Sequence, residues 1–545
     1  MDSCHLRKIK IPAGLLNAFN SLYHGNETYT FQGGAFKWIF SIKSGVLQGC
    51  PLSGTLFVLA IDPLLTQFEH YIHNPLLGAI YACADDIGAA LKKLSHLKLL
   101  FQLFEKYRQV SGLTLKPKKC FAILVANQVT EQTVALIRCW LRQNIPSWAN
   151  LQICSQAKYL GIYLGPVVGG KNWEAPMNKF IERVEEIAST RAPLEYACAL
   201  FKSKALSVLG YVAQICKPPK ALKVTELRAA NKILRLATNS FTTNCVYQLD
   251  AFHGPKLERP VVFLHSCMIR AAAKTLAGFS QQHLALQEKV IDSLPLAHLL
   301  PGSAKPEGWD SEAFCSNLHY AYLGVHSSET FPNAKSPICS LIRDFQLGRV
   351  KGGFQAKVSM LLKTLIPNEF PRLFRRRFET LEIDCGDSQL LVMPVRGSPL
   401  ELKHLLLPLP HSTPMCLLRT WSNGWCTSNR MHEPKALPCI FGCEADDDLC
   451  HYLKCEVLWT CVYSCFKCNT SIFMQSIPER ACVHNVNMSN IARLYCAYSS
   501  YHALRKLHTD LILDAISSED FEHVVEELLS LIILFGADTN RGVAF

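Results

Sequence analysis

Two adjacent carboxylates, Asp85 and Asp86, stand between apolar runs at residues 79–84 and 87–91. Apolar runs on either side of a short polar pair predict a tight β-hairpin with an acidic tip. Two carboxylates among apolar residues repel each other and lose hydration, and a divalent cation with oxygen ligands reverses that balance. The pair is therefore a candidate metal site for phosphoryl chemistry. The alternative is a solvated turn, and the same tripeptide recurs at residues 445–447 in a plainly different setting.

A second cluster has the spacing of a metal site, Cys-x3-Cys-x7-His-x3-Cys, formed by Cys439, Cys443, His451 and Cys455. Four such ligands can close a tetrahedral Zn²⁺ site, and a site filled by protein ligands is structural. His451 and Cys455 are four residues apart, so a short helix would put both on one face. Cys450 could replace His451 as a ligand, and the acidic residues 446–448 are expected to be exposed in the loop between the ligand pairs. A chance cluster in a cysteine-rich chain is the alternative.

Three further segments could contact a nucleotide or a nucleic acid, and each has an ordinary alternative. Gln48 and Gly49 form a turn before a buried helix, where the backbone can approach a base or sugar closely, or form a plain loop–helix junction. Residues 113–120 are strand-like, and their Lys118 and Lys119 could offset phosphate charge or could protect a sheet edge. Residues 158–165 predict two short strands with glycine turns, which could hold a nucleic-acid strand or form a simple hairpin.

Helices are predicted around these segments from hydrophobic periodicity. Residues 11–24 carry an apolar stripe, and a nearly all-apolar helix should begin at Leu52 and be kinked or ended by Pro63. A helix over residues 95–110 should be capped by Ser95 and stopped by Gly112. Further along, residues 220–237 predict a helix with a basic face, and residues 372–378 interleave arginine with phenylalanine. Either segment could contact nucleic acid or be a solvated charged face.

The composition is that of a folded protein, with 49% hydrophobic residues, 18% charged residues and a net charge of +12 over 545 residues. The positive charge suits a polyanionic partner. The sequence opens without the apolar region of a signal peptide, so we expect an intracellular protein, nuclear or cytoplasmic, whose 24 cysteines are reduced or bind metal. The apolar run at residues 528–535 is too short to span a bilayer, and no membrane partner is expected.

Four motifs in order resemble the palm of reverse transcriptases, and are most similar to those of non-LTR (LINE-like) retrotransposons. They are residues 45–53 (Gly-Val-Leu-Gln-Gly-Cys-Pro-Leu-Ser), 84–86 (Ala-Asp-Asp), 112–120 (Gly-Leu-Thr-Leu-Lys-Pro-Lys-Lys-Cys) and 159–161 (Tyr-Leu-Gly). The resemblance implies an RNA-directed DNA polymerase that uses Mg²⁺ or Mn²⁺ on an RNA and DNA template-primer. It implies that Asp85 and Asp86 hold the metal, and that Gln48 and Gly49 lie near the nucleotide and template. It also places Lys118 or Lys119 near the triphosphate, and makes Tyr159, Leu160 and Gly161 the primer grip. The zinc segment at residues 439–455 resembles one found downstream of the polymerase in this family.

The sequence also departs from the family pattern. Members of the family use a third carboxylate, in the form Asp-x-x-x-Ala-Phe-Asp, on an earlier strand, and Asp2 has no such context. The fingers that should precede this strand are not seen, and Cys83 stands where the family usually has an aromatic residue. We therefore expect a truncated and inactive polymerase. The alternatives are a non-catalytic nucleic-acid-binding protein derived from it and an inert relic.

The fold class expected from these features is α+β, with five regions. They are a partial palm with an antiparallel hairpin (1–165), a mostly helical thumb (166–300), a connection region (301–430), the zinc-binding segment (431–460) and a helical tail (461–545).

Overall fold

The computed structural model describes ten stretches of the chain in a mixed, mostly helical α/β fold. They are residues 12–42, 49–72, 76–125, 129–166, 168–274, 335–383, 399–434, 437–466, 476–484 and 486–507. Described residues up to Gly169 form one compact unit, and those from Gly170 onward form a second. Within the described stretches, no helix is long and apolar enough to cross a membrane. The predicted limit between the thumb and the connection region, at residues 300–301, and the apolar run at residues 528–535 lie outside these stretches.

The described part of the first unit contains four α-helices and four two-stranded pairings. The helices are α1 Ala13–Tyr23, α2 Ser53–Tyr71, α3 Leu97–Ser111 and α4 Glu131–Asn144. The strands are β1 Glu27–Gln32, β2 Ala35–Ser41, β3 Gly78–Cys83, β4 Asp86–Leu91, β5 Phe121–Ile123, β6 Gln152–Cys154, β7 Ala157–Tyr159 and β8 Ile162–Leu164. β1–β2, β3–β4 and β7–β8 pair antiparallel, and β5–β6 pair parallel. Short 3₁₀ turns lie at Leu94–His96, Pro117–Lys119 and Pro146–Trp148.

The core of the first unit lies between α2, α3, β3 and the segment that follows α4. Its buried side chains come from these four elements and from α4 itself, which contributes Leu141, and are Ile61, Leu64, Phe68, Ile72, Ile80, Leu100, Leu103, Leu141, Ile145, Trp148 and Leu151. The same core seats the β3–β4 hairpin, since Ile80 is one of its members. The acidic tip is thus carried by strands that are anchored in packed side chains.

Two predictions about these elements were wrong in detail, and a third is narrowed to one of its two outcomes. Pro63 does not end α2, which runs on to Tyr71, because the buried stripe continues beyond the proline. Ser95 lies in a 3₁₀ turn and does not cap α3, although Gly112 ends that helix in the left-handed region as predicted (φ 71°). Most of residues 113–120 is not a strand, because Pro117 begins a 3₁₀ turn there.

The β1–β2 hairpin carries an exposed aromatic surface. Tyr29 pairs with Trp38 and Phe31 pairs with Phe36 across the two strands. All four side chains are more than half exposed, and the rings of Phe31 and Phe36 meet edge to face.

The described part of the second unit is helical. Its helices are α5 Lys171–Ser189, α6 Leu194–Leu200, α7 Leu222–Leu234, α8 Thr243–Val246, α9 Pro260–Lys274, α10 Lys335–Gln346, α11 Phe354–Thr364, α12 Phe370–Thr380, α13 Pro399–Leu406, α14 Ser412–Trp421, α15 Ser428–Met431, α16 Leu449–Lys454, α17 Glu456–Cys465, α18 Ile477–Arg480 and α19 Met488–Leu507. A π-helical turn at Phe201–Ala205 and 3₁₀ turns at Leu206–Leu209, Val212–Gln214 and Leu249–Phe252 complete it.

Two buried groups hold the second unit together. Glu226 on α7 is fully buried and accepts hydrogen bonds from Arg259 and from the backbone N–H of Val261. An aromatic cluster joins the Leu249–Phe252 turn to α12 and α14 through Phe252, Phe374 and Trp421. Both groups link residues that are far apart in the sequence.

Candidate functional site

The acidic tip of the β3–β4 hairpin presents two carboxylates to solvent. The strands pair in register from Gly78 with Leu91 to Cys83 with Asp86, which leaves Ala84 and Asp85 as a two-residue turn. Ala84 has a positive φ of 53°, a conformation that costs a residue with a side chain roughly 1 kcal/mol. Asp85 and Asp86 are both exposed. The strained turn therefore places the two carboxylates side by side at the end of an anchored hairpin.

Tyr159 packs against this hairpin. Its hydroxyl lies 3.5 Å from the carbonyl oxygens of both Tyr81 and Asp86. A Cβ atom on Gly88 would lie only 3.0–3.3 Å from the phenol ring, so glycine allows the ring to lie this close. Burial, together with the charge of Asp86, raises the pKa of Tyr159. The structure thus brings the predicted metal-site motif and the predicted primer-grip motif into contact.

Leu160 and Gly161 form the turn between β7 and β8. Tyr159 pairs with Ile162, and the two turn residues have positive φ values of 47° and 82°. Positive φ at both central positions is the requirement of a type I′ hairpin turn. This tight turn fixes the position of Tyr159 at the end of β7. The primer-grip role of the three residues remains a prediction.

The two exposed carboxylates offer oxygen ligands of the kind that a hard cation prefers. Among the described residues, the one group of three or more histidine, cysteine or acidic side chains that could share a metal ion lies elsewhere, at residues 439–455. Asp2 lies outside the described residues. In the described part of the first unit, Asp85 and Asp86 are therefore not joined by a third ligand of these types.

Of the two residues predicted to lie near the nucleotide and template, the structure describes only Gly49. Gln48 lies outside the described residues. Gly49 has a φ of 90°, which favours glycine, and a Cβ atom there would meet nothing within 4 Å. Among the described residues, nothing crowds this backbone. Its contact with a nucleotide or template stays a prediction.

Lys118 and Lys119 are exposed on the Pro117–Lys119 turn. Lys118 borders a groove that is also lined by Arg138 and Arg142 of α4. Sequence reasoning missed both arginines. Their spacing of four residues on one helix was a signal that they share a face.

The second site is built around the four predicted zinc ligands. Cys439, Cys443, His451 and Cys455 each offer a ligand atom, and these atoms all lie within 4.8 Å of one another. The Sγ atom of Cys455 lies 3.7 Å from that of Cys443 and 4.0 Å from that of Cys439. Sulfur ligands on a tetrahedral Zn²⁺ ion, with bonds of about 2.3 Å, are about 3.8 Å apart. The two sulfur–sulfur distances of Cys455 are therefore close to those of a tetrahedral Zn²⁺ site.

Local structure explains how the four ligands converge. A turn at Gly442 (φ 82°) folds the chain back, so that the N–H of Cys439 donates to the carbonyl of Ala445 at 2.7 Å. Asp448 caps α16 by accepting from the N–H of His451 at 2.7 Å, which starts the helix that carries His451. Cys455 follows at the end of α16, and its N–H donates to the carbonyl of His451.

The charges in this cluster favour a metal ion. A hydrogen bond from the Cys455 thiol lowers the pKa of Cys439, and the nearby His451 imidazole lowers it further. Thiolate is the form of cysteine that binds zinc. The Nε2 atom of His451 is buried and has no hydrogen-bond partner among the described residues. A buried acceptor without a partner is costly, and a bound cation would satisfy it.

Cys450 points to a different part of the structure. Its Sγ atom lies 3.7 Å from the carbonyl oxygen of Leu381 and 3.8 Å from Glu382 Oε2, next to the end of α12. Glu382 also forms an ion pair with Lys454 at 2.7 Å. The geometry therefore selects His451 rather than Cys450 as the fourth member of the cluster.

The acidic loop between the ligand pairs differs from the prediction at two residues, because Asp447 is buried and Asp448, the cap of α16, is half-buried. Asp446 is exposed as expected, but Asp447 is fully buried. Its carboxylate accepts hydrogen bonds from the Ser428 N–H and the Tyr452 and Tyr501 hydroxyls, and Arg505 lies 3.2 Å away. Asp447 thus links the zinc segment to α15 and α19. Those distant partners leave no local signal in the sequence.

Comparison with known proteins agrees with the resemblance to reverse transcriptases that the motifs of the first unit show. Residues 2–164 match the family described as reverse transcriptase (RNA-dependent DNA polymerase). The chain is 24% identical over 264 residues to the retrovirus-related Pol polyprotein from the type-2 retrotransposable element R2DM of Drosophila melanogaster. That match covers 48% of this chain and 23% of the relative. Through residues 2–164, the chain is related to the reverse transcriptases of non-LTR retrotransposons.

Proposed function

We propose that the chain is part of an RNA-directed DNA polymerase of a retroelement, which acts on an RNA and DNA template-primer. The observation that carries this proposal is the contact between Tyr159 and the hairpin that ends in Asp85 and Asp86. Two motifs that are more than 70 residues apart in the sequence meet in space, as a shared role at one site requires. In this proposal, residues 1–165 form the palm and residues 166–300 form the thumb.

Each predicted residue then has a role in binding or positioning. Asp85 and Asp86 would hold Mg²⁺ or Mn²⁺, which supplies charge stabilisation for phosphoryl transfer when it is bound. Gln48 and Gly49 would contact the nucleotide and template, and Lys118 or Lys119 would contact the triphosphate. Tyr159, Leu160 and Gly161 would grip the primer end, with the rigid turn at residues 160–161 supporting the contact. The cluster at residues 439–455 would hold a structural Zn²⁺ ion.

We further propose that this chain by itself extends a primer poorly. Phosphoryl transfer by a polymerase uses two metal ions that share ligands, and the described residues supply two adjacent carboxylates on one hairpin. The loss of one member of such a constellation typically costs orders of magnitude in rate. Primer extension with the purified chain and Mg²⁺ or Mn²⁺ tests this. Strong synthesis that Asp85→Ala abolishes would show a complete site and contradict the proposal.

Metal binding at the hairpin can be tested without relying on activity. The zinc sites are first filled with Zn²⁺, and Fe²⁺ with ascorbate and peroxide is then used to cut the chain beside a bound hard cation. We expect cleavage within residues 78–91 that excess Mg²⁺ suppresses and that Asp85→Asn with Asp86→Asn removes. The control is Asp446→Asn, which alters an exposed aspartate in the second Ala-Asp-Asp tripeptide and should change nothing.

A non-catalytic nucleic-acid-binding protein is the second candidate, and the basic helix faces favour it. Arg372, Arg375 and Arg376 are exposed on α12, while Phe370, Phe374 and Phe378 are buried on its other side. The phenylalanines therefore cannot stack on bases, but the arginines can contact phosphates. On α7, Lys223 and Arg228 are exposed, whereas Lys232 forms an ion pair with Glu185.

The two candidates give different results in the same experiments. Salt-dependent binding of an RNA–DNA hybrid together with cleavage at the hairpin supports the polymerase. Binding without cleavage at the hairpin supports the non-catalytic protein. A chain that neither binds the hybrid nor is cleaved at the hairpin would support an inert relic.

A further inference from the structure

A basic groove lies on the first unit between the Pro117–Lys119 turn, α4 and the loop that follows α4. It has a volume of about 300 Å³ and is lined by Lys118, Arg138, Arg142, Ala149, Asn150 and Gln152. Three of these six residues are cations. Arg138 and Arg142 are one helical turn apart on α4, so they face the groove together.

Hydrogen bonds hold the walls of this groove in place. The Arg138 guanidinium donates to the carbonyl oxygen of Ala149, and the Gln152 amide donates to the carbonyl oxygen of Lys118. β5 pairs with β6 beside it, with Phe121 opposite Gln152. The backbone on both sides is therefore fixed, while Lys118 and Arg142 remain exposed. Two positive side chains can reach a ligand without unfolding the wall.

The electrostatics of the groove favour an anion. Among the residues that the structure describes, no carboxylate lines it, so the three positive charges repel one another without local compensation. Guanidinium groups bind phosphate oxygens in a bidentate manner, and lysine binds them as a point charge. The lining is polar and open to solvent, unlike the enclosed apolar pockets that bind small organic molecules. These properties suit phosphates that are spaced along a polymer.

We propose that this groove binds the backbone phosphates of a nucleic-acid strand, in addition to any contacts at the hairpin tip. The identity of the polyanion rests on the proposed function. Lys118 and Arg142 make the phosphate contacts, Arg138 and Gln152 position the groove, and the contact with the triphosphate of an incoming nucleotide then falls to Lys119, which does not line the groove. The other source of such phosphates is a free nucleoside triphosphate, and the experiment separates the two.

The test compares two charge-matched double variants of the full, zinc-loaded chain. Lys118→Gln with Arg142→Gln removes two groove cations and spares Arg138, which holds Ala149. The control, Lys93→Gln with Lys106→Gln, removes two exposed cations elsewhere on the first unit. Binding of a labelled 20-nucleotide single-stranded RNA is measured by anisotropy over a series of salt concentrations, and binding of dATP is measured by calorimetry.

We expect the groove variant to bind the RNA about tenfold more weakly than the wild type. The slope of log K against log salt should fall by about 1.4, because each phosphate contact on a single strand contributes about 0.7. The control variant should keep both the affinity and the slope of the wild type.

Two results would overturn the inference. The first is unchanged RNA affinity and slope in the groove variant. The second is a loss that is confined to dATP, which would assign the groove to a nucleotide. A wild-type chain that binds no RNA would instead contradict the proposed function itself, and the inference would fall with it.

Discussion

Asp446 and Asp447 show how far two neighbouring side chains of one type can differ. Asp446 is exposed, whereas Asp447 is fully buried among Ser428, Tyr452, Tyr501 and Arg505. A buried carboxylate is stable only when hydrogen bonds and an opposite charge replace its hydration, and Asp447 has both. The same tripeptide at residues 84–86 has both aspartates exposed. The environment rather than the local sequence therefore decides their roles.

Replacement of Asp447 should destabilise the second unit strongly. Asp447→Asn removes the negative charge that faces Arg505 and leaves a buried network with unmatched donors. Breaking a buried pair of this kind costs about 3 kcal/mol or more in the free energy of unfolding. Urea unfolding followed by tryptophan fluorescence measures the effect, because Trp425 and Trp459 are buried in this unit. The matched control is Asp446→Asn, for which we expect a change below about 0.5 kcal/mol. Equal effects of the two variants would contradict the assigned network.

At the scale of single residues, the sequence predicts the contacts of a side chain when its partners are close along the chain. The four zinc ligands lie within 17 positions, and their spacing alone brought them together correctly. The burial of Asp447 and of Glu226 was not predicted, because their charged partners, Arg505 and Arg259, are 58 and 33 residues away. A single sequence carries no signal for such pairs.

In the predicted zinc segment, residues 439–455, a local feature of the backbone places each of the four candidate ligands. A glycine turn, a capped helix and the end of that helix supply the four ligands. In the proposal that this cluster holds Zn²⁺, metal binding contributes directly to the folding of the segment.

Metal analysis of single variants should separate the ligands from their neighbour. We expect about one zinc per chain in the wild type and in Cys450→Ser, because Cys450 contacts the carbonyl of Leu381. Cys455→Ser should lose most of the bound zinc and lower the melting temperature of the chain. Elemental mass spectrometry after gel filtration measures the metal content. If Cys450→Ser released the metal and His451→Ala retained it, the assignment of the fourth ligand would be wrong.

Among the secondary-structure elements, periodicity and turn chemistry predicted the types of element better than their limits. The β3–β4 hairpin formed where apolar runs flank a polar pair, and the β7–β8 hairpin formed where two short strands flank a glycine turn. The extension of α2 past Pro63 could not be anticipated, because it depends on Leu64 and Phe68 packing in the core. Tertiary packing in that case outweighs the loss of one backbone hydrogen bond.

For the molecule as a whole, buried histidines link stability to pH. Burial, with the charge of Lys217, lowers the pKa of His265 to about 4, and burial, with Arg419 and Arg505, lowers the pKa of His502 to about 3. Above a pH of about 6.5, both histidines are neutral in the folded and the unfolded chain. Below that pH, the unfolded chain takes up protons that the folded chain does not, so stability is lost as the pH falls toward 4.

We therefore expect the free energy of unfolding to fall between pH 6.5 and pH 4. Each histidine contributes at most about 1.4 kcal/mol per pH unit. Urea midpoints at pH 7, 6 and 5 measure the slope, with zinc held in excess. His502→Gln should give a shallower slope than the wild type, while His404→Gln, which alters an exposed histidine, should not. Identical slopes in all three proteins would contradict the prediction.

The exposed aromatic pairs on β1 and β2 give the first unit an intrinsic optical reporter. Trp38 is 56% exposed, whereas Trp148, Trp173, Trp421, Trp425 and Trp459 are buried. A collisional quencher such as acrylamide will therefore reach Trp38 before these five. Any molecule that settles on this strand pair would shield Trp38, and the change could be followed without attaching a dye.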